Sequence, residues 1–572
     1  MKMRRELLCA ASCLVLVGCG GGGGGSPDLT IAPSNQNTSI PTPTLTGLTS
    51  QSLVNDATFL SGVTSSATTV ASSISAGPQS LTVQYDAGSG GYAISTSGGS
   101  QTFLPSNIQS SSTANTTVYE KTTGSSTDDT LSLVAVPLSS GQNYAGLGFW
   151  IHETVNGNSE SATYNSFTYG FPTTATAVPR TGGAAYNTLM FGLMGSTSQP
   201  LRAVSGNGTL NVDFASGLLA VSMTGNETVT YPSSATITGG AFQANAQLSS
   251  GDGTFAGSAN YSATVGSFSG NAHSAFLSGP LSGRFYGPTA QQLGASFYLT
   301  DGVGDDLAGS LLGNQAGAAT TNLTLTDVIT TQTFTTAGAR VFSTVPGAIA
   351  QVQDQLTLPA AAATGVTYAP VGGSGTATFA PSDAVASSNP NFTAYQQTTA
   401  GTTSQLALYK PGSSNTELAL TYTGFGSWQQ TQASGFNQTY FVYGLPTTAS
   451  ALQARTGSAI YTGVAYGTAI NTGTNATQSL TGTSVFNMNF VNKSMVGSIT
   501  LSSFGTFAVT APFGVGSTNQ FTTLTLTQAA GVGGSMSGRF YGPSAEEFGG
   551  PFSINVNGGT NYAIAGAAAA KR

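Results

Sequence analysis

Ser282-Gly283-Arg284-Phe285-Tyr286-Gly287-Pro288 recurs as Ser537-Gly538-Arg539-Phe540-Tyr541-Gly542-Pro543, and this pair decides the fold. Both copies continue with Ala, two polar residues, an apolar residue and Gly: Ala290-Gln291-Gln292-Leu293-Gly294 and Ala545-Glu546-Glu547-Phe548-Gly549. On a strand, Phe285 and Tyr286 point to opposite sheet faces, one into a core and one outward, and Phe540 and Tyr541 repeat this. Gly283 and Gly287, like Gly538 and Gly542, relieve crowding at strand ends. Pro288 and Pro543 can each begin a single helical turn, which in the first copy would set Leu293 over the core. Recurrence in both halves points to a closure role.

Upstream, the self-similarity continues. Tyr169-Gly170-Phe171-Pro172-Thr173-Thr174-Ala175 matches Tyr443-Gly444-Leu445-Pro446-Thr447-Thr448-Ala449. Arg180-Thr181-Gly182 with Tyr186 matches Arg455-Thr456-Gly457 with Tyr461, and Trp150 matches Trp428. A repeat this long is a duplicated domain, which predicts a first lobe of about 47–312 and a second of about 322–567. Tyr186 to Gly283 is 97 residues and Tyr461 to Gly538 is 77, so the first lobe carries 20 more in its later strands and loops. Loops are where function varies, so the lobes are expected to do different jobs.

Within each lobe the strand signals are short. Thr82–Asp86 and Tyr92–Ser95 flank a Gly-rich turn, and residues 184–192, 208–214, 218–224 and 234–248 tend to alternate. That pattern suits antiparallel sheets with one buried face, closed to remove edges. Helix-period stretches are confined to the turns after Pro288 and Pro543 and to 346–355.

The 572-residue chain has only 6 % charged residues, against roughly 25 % in an ordinary soluble domain. Its 76 glycines and 52 aromatics (29 Phe, 21 Tyr, 2 Trp) fit an all-β secreted protein rather than a disordered one. A net charge of −7 excludes binding to a phosphate backbone, so no nucleic-acid partner is expected. The three cysteines all fall in the first 19 residues, behind Lys2, Arg4 and Arg5 and an apolar run from Leu7 to Val17. Leu16-Val17-Gly18-Cys19 resembles a bacterial lipobox, which implies a signal peptide at 1–18 and lipidation of Cys19. Residues 19–46 then form the lipidated cysteine and a flexible Gly/Ser/Thr/Pro tether. Removing the signal leaves no disulfide and no thiolate chemistry.

The pairing of a Pro-Thr … Gly-x-Ala-x-Tyr strand with a closing Gly-Arg-Phe-Tyr-Gly-Pro-x-Ala-x-x-x-Gly segment resembles the transferrin-binding protein B family. The resemblance implies two tandem lobes, each a small antiparallel handle sheet plus an eight-stranded up-and-down β-barrel. The handles would span 47–165 and 322–440, and the barrels 166–312 and 441–567. It also implies a lipid-anchored outer-membrane protein facing the cell exterior, delivered by a lipoprotein translocon and serving an outer-membrane receptor. The membrane would be met through the lipid anchor only. The chain departs from the Lys- and Glu-rich members of that family, and no ligand residue is carried over.

Arg180, Arg284, Arg455 and Arg539 fall at paired positions and are four of 11 basic residues outside the signal (14 less Lys2, Arg4 and Arg5). A guanidinium has five donors that can fasten turn carbonyls or a carboxylate, which is the role expected of them. Trp150 and Trp428 are expected to anchor handle cores. His152 and His273 have no counterparts in the other lobe, and neighbours His152 and Glu153 face opposite sides of a strand. Asp301, Asp305 and Asp306 fail the spacing of a calcium loop and are read as a solvated turn. No nucleophile elbow or phosphate loop occurs, so no enzyme, cofactor or metal site is expected. The function expected is non-enzymatic capture of a macromolecule, metal carrier or haem source, with an unknown protein or small ligand as partner. The alternative is an adhesive or structural surface lipoprotein.

Overall fold

The structure, a computed structural model, describes residues 43–572 except 66–69, 230–234, 264–265, 269–270, 274–275, 320, 346, 361–364, 372–374, 448–450, 453–454, 513–519, 529–531 and 558–559. Cys19, the lipobox and most of the tether lie outside the described residues. The chain divides into two compact units, one on each side of the Thr320–Thr321 bond.

In the first unit, nine strands between Gln51 and Gly170 form one antiparallel sheet. Its order is Gly99–Phe103, Gly91–Thr96, Leu81–Asp86, Gln51–Ser65, Ser159–Gly170, Ala145–Asn156, Thr127–Val134 and Thr116–Thr123, with Ser73–Pro78 paired onto Gln51–Ser65. The two ends of this order curl until they meet. Gln101 on one edge strand donates to Asp129 Oδ2 at 2.8 Å, and Lys121 on the other donates to the Thr102 carbonyl at 3.1 Å. All eight strands of the curl contribute to one apolar core, including Leu53, Val83, Ile94, Phe103, Tyr119, Leu131, Trp150 and Phe167. The handle is thus a nearly closed barrel, larger than the small sheet expected.

Eight further strands close a true up-and-down barrel between Gly183 and Ala318, with Gly183–Ser196 paired to Asp305–Ala318 at the seam. Its interior is apolar: Met190, Met194, Val204, Leu210, Phe242, Phe255, Phe285 and Phe297 are all buried there. Phe191 and Leu193 point the other way, into a second cluster with Leu60, Phe149 and Tyr164 of the handle. Both faces of that strand are covered, which explains the unbroken apolar run Leu189–Leu193 where strict alternation would have been expected.

The second unit repeats the plan. Its handle splits into a four-stranded and a seven-stranded sheet, and eight strands from Ser458–Asn471 to Tyr562–Lys571 close the barrel. The last strand carries Ala563, Ala565 and Ala567–Ala570, all buried. On the neighbouring strand Gly463 has room for no side chain, since a Cβ there would lie 1.9 Å from the Ala569 carbonyl.

Several expectations are corrected. The barrels begin at Gly183 and Ser458 rather than 166 and 441, because Ser159–Gly170 and Gly435–Gly444 pair inside the handles. They end at Ala318 and Lys571 rather than 312 and 567. Leu293 does not ride a helical turn after Pro288. It lies on the strand Gln292–Thr300, its side chain inside the barrel. Residues 349–352 form a strand, not a helix.

Candidate functional site

The repeated motifs meet in space as one clamp, built alike in each lobe. The Thr173 amide donates to the Phe285 carbonyl at 2.8 Å and its hydroxyl to the Gly287 carbonyl at 2.6 Å. In the second lobe Thr447 makes the same bonds to Phe540 and Gly542, at 3.0 and 2.6 Å. Tyr186 donates its hydroxyl to the Ala290 carbonyl, and Tyr461 to that of Ala545. Gly287 and Gly542 both hold φ of +85°, and a Cβ on either would come within 2.7 Å of Tyr144 or 2.6 Å of Tyr422. Phe285 and Phe540 fill the barrel interiors. Tyr286 turns outward into the handle interface, where its hydroxyl lies 3.1 Å from that of Thr168. The motif therefore ties handle to barrel inside each lobe.

The four paired arginines divide. Arg180 donates to the Ser249 and Ser250 carbonyls at 3.0 and 3.3 Å, and Arg455 donates to the Ser544 carbonyl beneath the Phe490 ring. Arg284 grips Asp56 of the handle through two bonds of 2.7 and 2.6 Å. Arg539 occupies the equivalent strand position, opposite Gly549. These side-chain hydrogen bonds of Arg180, Arg284 and Arg455 all reach a carbonyl or carboxylate of the same lobe. Behind the clamp, Gln292 Oε1 accepts the Tyr144 and Ala145 amides at 2.6 and 3.0 Å. Glu547 takes that place in the second lobe and accepts three amides, from Thr421, Tyr422 and Thr423. Burial pushes the Glu547 pKa up, while these amides pull it down; burial prevails.

What differs between the lobes is confined to other places. The 20 extra residues of the first barrel lengthen the hairpin Leu218–Val229/Ala235–Leu248 and insert the excursion that carries the short strands Gly266–Phe268 and Asn271–His273. The equivalent strands of the second barrel, Ser494–Leu501 and Gly505–Pro512, have eight residues each. Near that end of the first barrel, fully buried Arg202 donates to Glu227 at 3.1 Å and to Asp305 at 3.4 Å. Sequence reasoning missed this group, because a single arginine between Leu201 and Ala203 at the start of a strand carries no sign of the Glu227 and Asp305 that face it from other strands. Asp301 spends its Oδ1 on the amides of Val303, Gly304 and Asp305, at 2.8 to 3.0 Å, so the acidic loop folds on its own carboxylate. Among the described residues, no group of three or more His, Cys, Asp or Glu side chains is placed to hold a metal ion.

The first handle holds the other lobe-specific constellation. Asp129, on the strand opposite His152, accepts His152 Nδ1–H at 2.8 Å, Trp150 Nε1–H at 2.9 Å and Gln101 at 2.8 Å. Burial raises the Asp129 pKa, but the bonds from His152, Gln101 and Trp150 outweigh it and hold the pKa below the usual value. The bond to Asp129 raises that of His152, against the opposing effect of burial. Trp150 and His152 share a strand face, and the register opposite His152 supplies Asp129; that pairing is the signal by which sequence could have found the group. The second handle has Gln430 opposite Ser404 at this place. There Trp428 packs on Tyr368 and lies beneath Arg340, which pairs with Asp354. Both tryptophans anchor handle cores.

On the reverse face of the His152 strand, buried Glu153 shares a hydrogen bond with buried Glu160 of the neighbouring strand Ser159–Gly170. Burial and the neighbouring Glu160 push the Glu153 pKa up to about 8.

Residues 453–572 match the family model described as the C-lobe and N-lobe beta barrels of Tf-binding protein B. That segment, the second barrel, is similar to the barrels of Tf-binding protein B. That family consists of binding proteins, not enzymes. Two solved structures similar to this chain are isotype 1 transferrin binding protein B of serogroup B Neisseria meningitidis and a double mutant of the Haemophilus parasuis Hp5 transferrin binding protein B. The first is 17 % identical over 75 % of this chain and 85 % of its own, with a TM-score of 0.28. The second is 16 % identical over 96 % and 98 %, with a TM-score of 0.29. No curated protein matches the chain in sequence.

Proposed function

We propose that the chain is an outer-membrane surface lipoprotein, anchored through Cys19 and facing the cell exterior. In this reading it acts as a non-enzymatic binding protein for a macromolecule, a metal carrier or a haem source. The observation that carries the reading is the match of the second barrel to the Tf-binding protein B barrels, with the same clamp built again in the first lobe. The clamp residues bond within their own lobe, which leaves contact with a ligand to what differs between lobes. Those parts are the longer hairpin and excursion of the first barrel and the mouth of the first handle. A charge of −7 spread over 572 residues, with most surface positions Ser, Thr, Asn or Gly, suits contact through shape and hydrogen bonds rather than long-range steering.

The test is capture by the soluble chain, begun at residue 27, from culture-medium and serum components, identified by mass spectrometry. The reading expects a defined ligand that is lost when the residue 229–235 hairpin and the residue 262–276 excursion are replaced by their shorter second-lobe equivalents. Absence of any ligand, together with impaired attachment of cells lacking the protein, would favour an adhesive role instead.

A further inference from the structure

At the end of the first handle where Trp150 and His152 lie, the curled sheet leaves a cleft of about 260 Å³ open to solvent. Phe59 gives it apolar surface, and Trp150, 2 % exposed, lies at its floor. Gln79, His152 and Thr163 give it hydrogen-bonding groups, Asn165 lies behind them, and the 96–98 turn closes one side. Its described lining holds no carboxylate, lysine or arginine. The polar groups are held in place from behind. Gln79 donates to Asn165 Oδ1 at 2.7 Å, and Asn165 donates to the Trp150 carbonyl at 3.2 Å. His152 is fixed through Nδ1 by Asp129, while its ring keeps 33 % of its surface exposed at the cleft. Nε2 is thereby the ring nitrogen left for a ligand.

This combination selects a ligand class. An ionic ligand would find no opposite charge of its own in the lining except a protonated His152, and Asp129 already neutralises that. A purely apolar ligand would strand amide, hydroxyl and imidazole groups without water. A small neutral ring with one apolar face and several hydroxyls satisfies both sets of groups, and a barrel mouth is a common place for such a site. We propose that the mouth of the first handle binds a single neutral pyranose unit, as a free hexose or as the end of a glycan, against Phe59 and above the buried Trp150 indole. His152, Thr163 and Gln79 orient its hydroxyls, with buried Asn165 holding Gln79 in place. The second lobe lacks the site, since Gln430 and Ser404 stand where His152 and Asp129 form it. The proposal goes beyond the anchored-binder reading and does not depend on where the protein is located.

The two tryptophans supply a probe with an internal control. The full chain, labelled with ¹⁵N-tryptophan and kept in a detergent without a sugar headgroup, gives one indole N–H signal from each lobe. A Trp428→Phe variant assigns them. Glucose, galactose and N-acetylglucosamine are titrated first, then maltotriose and chitotriose. The Trp150 signal is expected to move saturably with at least one sugar at about millimolar concentration, the range usual for one ring in a shallow site. The Trp428 signal should stay fixed. Tighter binding of a trisaccharide assigns the glycan end, and equal binding assigns the free sugar. Thr163→Val and His152→Gln should each weaken binding about tenfold, one hydrogen bond's worth. No saturable shift with any of the five sugars, equal shifts of both signals, or binding unchanged in both variants would overturn the proposal.

Discussion

Tyr186 donates its hydroxyl to the Ala290 carbonyl at 2.6 Å, joining the first barrel strand to the turn behind the closing motif 104 residues later. Ala290 is held there with φ of +62°, and its second-lobe counterpart Ala545, bonded by Tyr461, has φ of +54°. A non-glycine residue persists in that region only when its surroundings fix it, and the tyrosine is one such constraint. Tyr186→Phe should therefore strand a buried carbonyl and cost the first lobe about 1–3 kcal/mol. The lowered urea midpoint, followed by Trp150 fluorescence in a Trp428→Phe background, is the measurement.

Gly287→Ala should be worse than an ordinary surface change. The alanine would be forced into a left-handed conformation while its Cβ pressed on the Tyr144 ring. A loss of roughly 2–4 kcal/mol is expected from strain and overpacking together. Gly542→Ala should behave alike in the second lobe, against Tyr422. Gly182→Ala serves as the control, because it shares a positive φ of 70° but a Cβ there meets nothing within 4 Å. Differential unfolding of the three variants separates strain from crowding.

Glu547→Ala removes the acceptor of three amides, two of them buried, and the second lobe should lose about 2–4 kcal/mol. Glu547→Gln should cost less than about 1.5 kcal/mol, because the amide in the first lobe, Gln292, already satisfies two backbone donors with one oxygen. Guanidinium unfolding read at Trp428 in a Trp150→Phe background tests the order Ala below Gln below wild type.

The strands and the clamp were readable because their signals are local or repeated. Phe285 and Tyr286 alternate, Gly287 recurs as Gly542, and the Pro-Thr and Tyr-Gly motifs recur at matching places. Two kinds of information were not local. Leu189–Leu193 is apolar on both faces because a separate sheet covers the barrel, and nothing within the strand says so. The Asp129–His152 pair and the Arg202 cluster depend on cross-strand register, which a single strand does not carry. The handle boundary at Gly170 was missed for the same reason. Ser159–Gly170 has no property of its own that marks it as paired to Gln51–Ser65 rather than to a barrel strand.

The stability of the first handle should fall as the solution becomes alkaline. Glu153 keeps a proton up to about pH 8 in the fold, whereas an ordinary glutamate loses it near 4.5. A raised folded pKa gives stabilisation that is complete below the unfolded value and is lost as pH rises through the folded one. His152, raised above 6.5 by Asp129, acts in the same direction. Asp129, whose pKa is lowered, acts oppositely, but only in acid well below this window. Urea midpoints of the Trp150 transition should fall between pH 6 and pH 9, and Glu153→Gln should flatten most of that slope. A midpoint that rises over the same range would show that Glu153 is ionised in the fold.

The central proposal is that this two-lobed protein is held on the outside of the cell by a lipid on Cys19. Protease digestion of intact cells tests it most directly, with the outer membrane left sealed and a periplasmic protein as control. The account predicts that both lobes are cleaved while the control survives, and that Cys19→Ala abolishes retention at the cell surface. Lobes that stay protected until the membrane is permeabilised, or a Cys19→Ala protein that stays embedded in the membrane, would contradict it.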